Sequence, residues 1–189
     1  AVCPSACWLL LSASRTRVLG SSGAENLPTD EYLAEYANVF DHVGMLQDGE
    51  RIYPICGEVH LGRLPRAQWR EQLLRMRAGG LNWVSVYLFW IYFQEERGAS
   101  TFDDAPDGRR DVRACLTLAG ERGLRVLLRV GPWCHGEVRN GGHPDWVLSS
   151  CGAVRTPDPK YLGCVAGWYG ALAAQLKGLY WKDGGPIVS

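Results

Sequence analysis

The chain has no net charge. Its 189 residues set 20 Lys and Arg against 20 Asp and Glu, so no overall field draws nucleic acid or an anionic membrane surface to it. It also lacks a long apolar run. The apolar stretch near its start, Ala6 to Leu11, falls far short of the ~20 residues of a membrane-spanning helix. Neither nucleic acid nor membrane is therefore expected as a partner. No N-x-[ST] sequon occurs, no G-x-G-x-x-G and no G-x-x-x-x-G-K-[ST]. The last two absences remove the commonest phosphate-binding reasons for an α/β sheet, and no cofactor is expected. The seven cysteines, at 3, 7, 56, 115, 134, 151 and 164, include no C-x-x-C pair. Such an odd, scattered set argues against a disulfide framework and a zinc ribbon, and predicts buried thiols in a reducing compartment. Residues 1–14 point the other way. Their apolar run is followed by Ser12-Ala13-Ser14, the small residues of a signal cleavage region, though no basic segment precedes it.

What is present is enough apolar content, 47%, for one domain with a real core. Residues 1–42 read as an N-terminal extension, polar at first and helix-leaning around Thr29 to Tyr36. The folded pattern begins at Val43. Leu46 to Ile52 predicts a hairpin turning at Asp48-Gly49. Pro54 to His60 is a short strand with Cys56, Glu58 and His60 on one face. A helix opens at Pro65, carries Trp69, Leu73 and Met76 on one stripe, and stops at Gly79-Gly80. Leu81 to Trp90 is a nearly continuous apolar strand, as in a sheet buried on both faces. An acidic loop with Glu95, Glu96, Asp103, Asp104 and Asp107 follows. Then come a helix from Arg110 with Val112, Leu116 and Ala119 inward, a stop at Gly123, and a strand from Leu124 to Val130. Asp158-Pro159 caps a last helix with Tyr161, Val165, Trp168, Leu172 and Leu176 on its stripe. Gly184 to Ser189 opens a further strand.

Chemistry is densest between Arg129 and Trp146. Past the buried strand come an aromatic, a thiol, an imidazole, a carboxylate, a guanidinium and a carboxamide, interrupted by glycines. Polar variety just beyond a buried strand is the pattern of a site on a βα loop. Alternating strands and helices fit an open doubly wound sheet or a (β/α)8 barrel. Each strand here ends in large or ionisable groups: Glu58 and His60, then Tyr87 and Trp90, then Trp133, His135 and Glu137. Successive strands feeding one rim favour the TIM barrel, present as about three βα units and the start of a fourth strand.

Glycoside hydrolysis needs two carboxyl groups flanking the bond, about 5–5.5 Å apart for retention of configuration. Glu58, Glu95, Glu96 and Glu137 are candidates, each with a structural ion pair as its competing role; for Glu137 the partner would be Arg139 or Arg129. A metal site is the weaker reading. His135-Gly136-Glu137 matches H-x-E of the zinc deaminases, but the P-C-x-x-C that should follow is missing. Cys134 as a nucleophile beside His135 is equally weak, because neighbours on an extended chain point to opposite sides.

Several linked motifs are similar, in order, to glycoside hydrolase family 35. They are Gly57-Glu58-Val59-His60, Arg63-Leu64-Pro65 with Trp69, the run from Gly80-Leu81-Asn82 to Tyr87-Leu88-Phe89-Trp90, Gly131 to Glu137, Gly141-Gly142-His143-Pro144-Asp145-Trp146, and Gly184-Gly185-Pro186-Ile187. Residues 43–189 thus resemble the front of the catalytic TIM barrel of these retaining β-galactosidases. The resemblance implies an exo-acting glycosidase that removes terminal non-reducing β-D-galactose from an oligosaccharide or glycoconjugate. It implies that Tyr87, Cys134, His135, Gly136 and Glu137 help bind the galactose, with Glu58, His60, Trp90 and Trp133 as further rim candidates. Glu137 is then a holder of hydroxyls and not half of the catalytic pair. The implied acid/base, the glutamate of an Asn-Glu pair, and the nucleophile both fall beyond Ser189, so residues 1–189 are expected to be catalytically silent. A non-catalytic carbohydrate-binding protein on the same scaffold is the alternative. The loop Ile91 to Glu96 and His143 depart from common members, which bears on fine specificity.

Overall fold

The computed structural model describes residues 16–18, 38–98, 100–102 and 107–189. The leader-like residues 1–14, the helix-leaning stretch 29–36, and Asp103 and Asp104 lie outside the described residues.

Two sheets form. The first joins β1 (Thr16–Val18), β2 (Asn38–Phe40), β3 (Met45–Gln47) and β4 (Glu50–Ile52) in that order. β1 runs parallel to β2, and the other pairs are antiparallel. The hairpin turns at Asp48-Gly49 as the sequence predicts. Both residues have positive φ, 49° and 82°, as a two-residue type I′ turn requires.

The second sheet is the parallel one. It places β5 (Cys56–His60), β6 (Trp83–Tyr87) and β7 (Arg125–Arg129) side by side. Residues 186–189 continue it beyond β7: Val126 N–H donates to Pro186 O at 2.8 Å and Val188 N–H to Val126 O at 3.0 Å. The connecting helices are α1 (Arg66–Ala78), the single turn α2 (Trp90–Phe93), α3 (Val112–Glu121), the short α4 (Asp145–Ser150) and α5 (Pro159–Leu176).

The two helix-to-strand joints that look alike in sequence are alike in bonding. After α1, Leu81 N–H reaches Met76 O at 3.1 Å and Gly80 N–H reaches Arg77 O at 3.0 Å. After α3, Leu124 N–H reaches Ala119 O at 3.0 Å and Gly123 N–H reaches Gly120 O at 2.8 Å. Gly80 and Gly123 take the left-handed φ values, 87° and 71°. Each joint is a Schellman stop, which satisfies the last helical carbonyls and turns the chain into its strand.

Alternation divides the parallel sheet into two faces. Val59, Val84, Val86 and Val126 point outward and pack under the helices with Leu73, Leu116, Trp168 and Leu172. The other face carries Cys56, Glu58, His60, Trp83, Ser85, Tyr87, Arg125, Leu127 and Arg129, in register across the strands. At its N-terminal end Trp83 meets Met45 and Val188, so the antiparallel hairpin covers the bottom of the sheet. The indole Nε1–H of Trp181 donates to Asp48 Oδ2 at 2.7 Å and ties the hairpin there.

Three expectations are corrected. The strand expected from Leu81 to Trp90 is ordered as strand only to Tyr87. Leu88 N–H makes a further bond, to Arg129 O at 3.0 Å, and the chain then turns helical so that Trp90 enters the core. The stretch after Glu137 is not a plain loop: it makes a tight turn over Arg139–Gly142, with Asn140 and Gly141 in the left-handed region, and then enters α4. Finally, the cysteines are not all scattered thiols. Cys151, at the end of α4, forms a disulfide with Cys164 of α5. Their Cα atoms come within 6.3 Å, an approach that a spacing of 13 residues does not signal. The lean toward a reducing compartment loses its basis. Among the described residues Cys56, Cys115 and Cys134 remain free.

Candidate active-site rim

Because β5, β6 and β7 are parallel and in register, their last residues form one row: His60, Tyr87 and Arg129. This is the C-terminal edge, where barrels carry their chemistry. The rings of His60 and Tyr87 meet edge to face at 5.4 Å, and the Arg129 guanidinium lies 3.7 Å from the Tyr87 ring centroid. Glu58 sits one pleat below and ties the row together. Its carboxylate accepts from His60 Nε2 at 2.7 Å and from Arg129 at 2.7 Å. Those two bonds, His60's first, hold its carboxyl below the ordinary carboxylate value. Arg129 is thereby committed to Glu58 and does not pair with Glu137.

The segment after β7 folds back over this row. Tyr87 Oη accepts the N–H of His135 at 3.3 Å. Cys134 N–H donates to Gly141 O at 2.8 Å, closing the loop on itself. Gly136 is required here, since a Cβ would lie 2.6 Å from the Phe89 ring. Gly141 is required twice over: φ is 59°, and a Cβ would run into the ring of Trp133. Glu137 itself adopts φ 49°, a left-handed backbone rare in residues with a side chain and typical of functional turns. Its carboxylate has no hydrogen bond or ion pair among the described residues. Arg139, its other expected partner, pairs with Asp145 at 2.7 Å. Glu137 lines a cleft of about 690 Å³ with Arg63, Phe89, Tyr92, Glu96 and Val138.

The structure thus brings Tyr87, His135, Gly136 and Glu137 together, with Glu58 and His60 beneath them. Cys134 is close but buried, and burial pushes its thiol up to about 11, which leaves it without nucleophilic character. Trp133 borders the loop, its ring 4.2 Å from the Arg155 guanidinium. Trp90 is the exception. It is fully buried, stacks on Trp168 at 5.8 Å and donates its N–H to Gln94 Oε1 at 2.7 Å, so it offers no surface to a sugar. Glu95 is held by Arg110.

His143, prominent in the sequence, is a core residue. Asn140 O can only accept, so His143 Nδ1 donates to it (3.1 Å), and Nε2 accepts from Tyr161 Oη (2.9 Å). With both nitrogens used it has none left for a metal. Among the described residues no three His, Cys, Asp or Glu side chains gather closely enough to hold one. What sequence reasoning missed is Arg63. It donates to the carbonyls of Gly136 and of Glu137, the latter at 3.2 Å, and to His60 Nδ1 at 3.1 Å. An arginine three residues before the first residue of a helix has no local signal for a role 74 residues away.

Comparison with known proteins places this geometry. Glycosyl hydrolases family 35 matches residues 44–189. The chain is 34% identical to a β-galactosidase of Canis lupus familiaris over 98% of its own length and 27% of that protein's. It is 38% identical to a β-galactosidase of Bos taurus over 76% of its length and 22% of the relative's. A bacterial β-galactosidase, from Xanthomonas manihotis, is 36% identical over the same share, covering 24% of that protein. The chain therefore spans about a quarter of the length of the curated relatives it matches. Among solved structures, an exo-β-1,4-mannosidase of Opitutaceae bacterium strain TAV5 superposes with a TM-score of 0.54 at 20% identity, over 80% of this chain and 25% of that one. That likeness concerns the fold alone, a (β/α)8 barrel of which this chain supplies the first units. On the motifs, the parallel sheet and the family match together, the chain belongs to glycosyl hydrolases family 35.

Proposed function

We propose that the chain supplies the sugar-holding side of a retaining exo-β-galactosidase that releases terminal non-reducing β-D-galactose. Residues 43–189 would be its barrel portion and 1–42 an extension. The observation that carries this reading is the Glu137 carboxylate, set over a cleft by the loop that folds back across the strand ends. A carboxylate with no protein partner among the described residues, displayed on a strained turn beside Tyr87 and above a cleft, suits bonding to sugar hydroxyls. Tyr87 Oη, the backbone of Cys134 to Gly136 and the Glu137 carboxylate would divide the galactose hydroxyls between them. Cleavage would need the acid/base and nucleophile glutamates placed by the family resemblance after Ser189. Residues 1–189 alone then bind without cleaving, since losing one of the two carboxylates already costs many powers of ten in rate.

The test is a titration of D-galactose into the purified chain, followed by ligand-observed NMR, beside a chromogenic β-galactoside assay. The expected outcome is saturable galactose binding, weakened about tenfold or more in Glu137→Gln, with no turnover. Equal affinity in the variant would sink the assignment of Glu137. Turnover by residues 1–189 would sink the division of labour.

A further inference from the structure

The left-handed backbone at Glu137 needs something to hold it, and the geometry points to Arg63 as the positioning residue that does so, itself set by His60 and Glu58. This deepens the galactose-holding reading and rests on it for its functional meaning. The bonding runs in one direction. Glu58 is ionised and accepts from His60 Nε2–H at 2.7 Å. An arginine can only donate, so the bond between Arg63 and His60 Nδ1, at 3.1 Å, requires a bare Nδ1. Both bonds are satisfied by a single tautomer, with hydrogen on Nε2 (the form Glu58 selects). The other end of the Arg63 guanidinium bonds the carbonyls of Gly136 and Glu137. Phe89 supports it from one side, 5.4 Å from the ring centroid, and the same ring lies where a side chain at Gly136 would be.

These contacts take hold of two successive carbonyls flanking the strained residue. A planar fork with several fixed donors can do that while also bonding an imidazole; an ammonium cannot hold the same three acceptors in one plane. Arg129 completes the frame by neutralising Glu58 at 2.7 Å from β7, so that Glu58 keeps its place between two strands. Glu58 and His60, candidate sugar contacts in the sequence, are thereby positioning residues: Glu58 bonds His60 and Arg129, and His60 Nδ1 accepts from Arg63. Their effect on the sugar passes through the direction in which the Glu137 carboxylate points.

The test uses the full chain at low concentration, as wild type, Arg63→Lys, Arg63→Ala and His60→Gln. Hydrogen exchange is followed by mass spectrometry on peptides covering residues 134–138 and, as a control, α5; galactose affinity is measured on the same samples. The expected result is about tenfold faster exchange in 134–138 for Arg63→Ala, only partly restored by lysine, with α5 unchanged. Galactose affinity falls in step, and His60→Gln gives a smaller effect of the same kind. Arg63→Lys is the informative variant should alanine not fold. Unchanged exchange at 134–138 in a folded Arg63 variant, or full restoration by lysine, overturns the proposal. Were wild type not to bind galactose at all, the exchange data would still decide the role of Arg63, and only the sugar reading would fall.

Discussion

Single residues of this chain divide between bonding and steric duties, and the two fail differently. His143 is a bonding residue. Burial lowers its pKa below the ordinary 6.5, so the folded chain keeps the ring neutral where the unfolded chain takes up a proton. Its contribution to stability is complete above about pH 6.5 and is lost as the pH falls toward the folded value. Denaturation midpoints measured between about pH 7 and pH 5 should decline for wild type and decline less for His143→Gln; parallel slopes would contradict this. Glu58, also lowered, acts in a separate window, below the ordinary carboxylate range. Gly141 is a steric residue. Alanine there meets both a left-handed backbone and the Trp133 ring, and should cost roughly 2 kcal/mol or more. Urea denaturation measures it.

At the scale of elements, much of the scaffold is readable because each signal acts locally. The stripes Trp69–Leu73 on α1 and Val112–Leu116–Ala119 on α3 are buried as their spacing demands. Asp111 and Asp158 cap α3 and α5 through Ala114 N–H and Lys160 N–H. The bridge from Cys151, just after α4, to Cys164 of α5 has no such signature, and it has a measurable consequence. Closing a loop of 13 residues should add roughly 2–3 kcal/mol. A reductant, or Cys164→Ser, is expected to lower the melting temperature, whereas Cys115→Ser under the same conditions keeps the sensitivity to reductant. Insensitivity of wild type would show that the bridge contributes nothing.

For the molecule as a whole, the parallel sheet is buried along its central strand β6 and exposed at its β5 side. The helices cover the outward valines, while Cys56 and Glu58 on the other side are exposed and β5 is an edge strand among the described residues. Unpaired strand edges recruit other strands. The chain should therefore self-associate as its concentration rises, seen as a growing sedimentation coefficient; a strict monomer into the millimolar range would refute this.

Residue order was enough to give the alternation of strand and helix, the Asp48-Gly49 turn, both Schellman stops and the concentration of chemistry after β7. These depend on interactions within a few residues, where propensity, capping and periodicity act. It was not enough to separate Trp90 from Tyr87, both of which read as aromatics near the end of the same apolar run; whether a ring faces the helices or the rim depends on where the strand stops and which helix lies behind it. Nor could order tell that Glu58 is bound by His60 and Arg129 while the Glu137 carboxylate has no partner among the described residues, that His143 is a core residue, or that Cys151 meets Cys164. Apart from the short-range Glu58–His60 and His143–Asn140 bonds, those choices are made by groups 13 to 71 positions apart. They exist only once parallel strands bring His60, Tyr87 and Arg129 into one row.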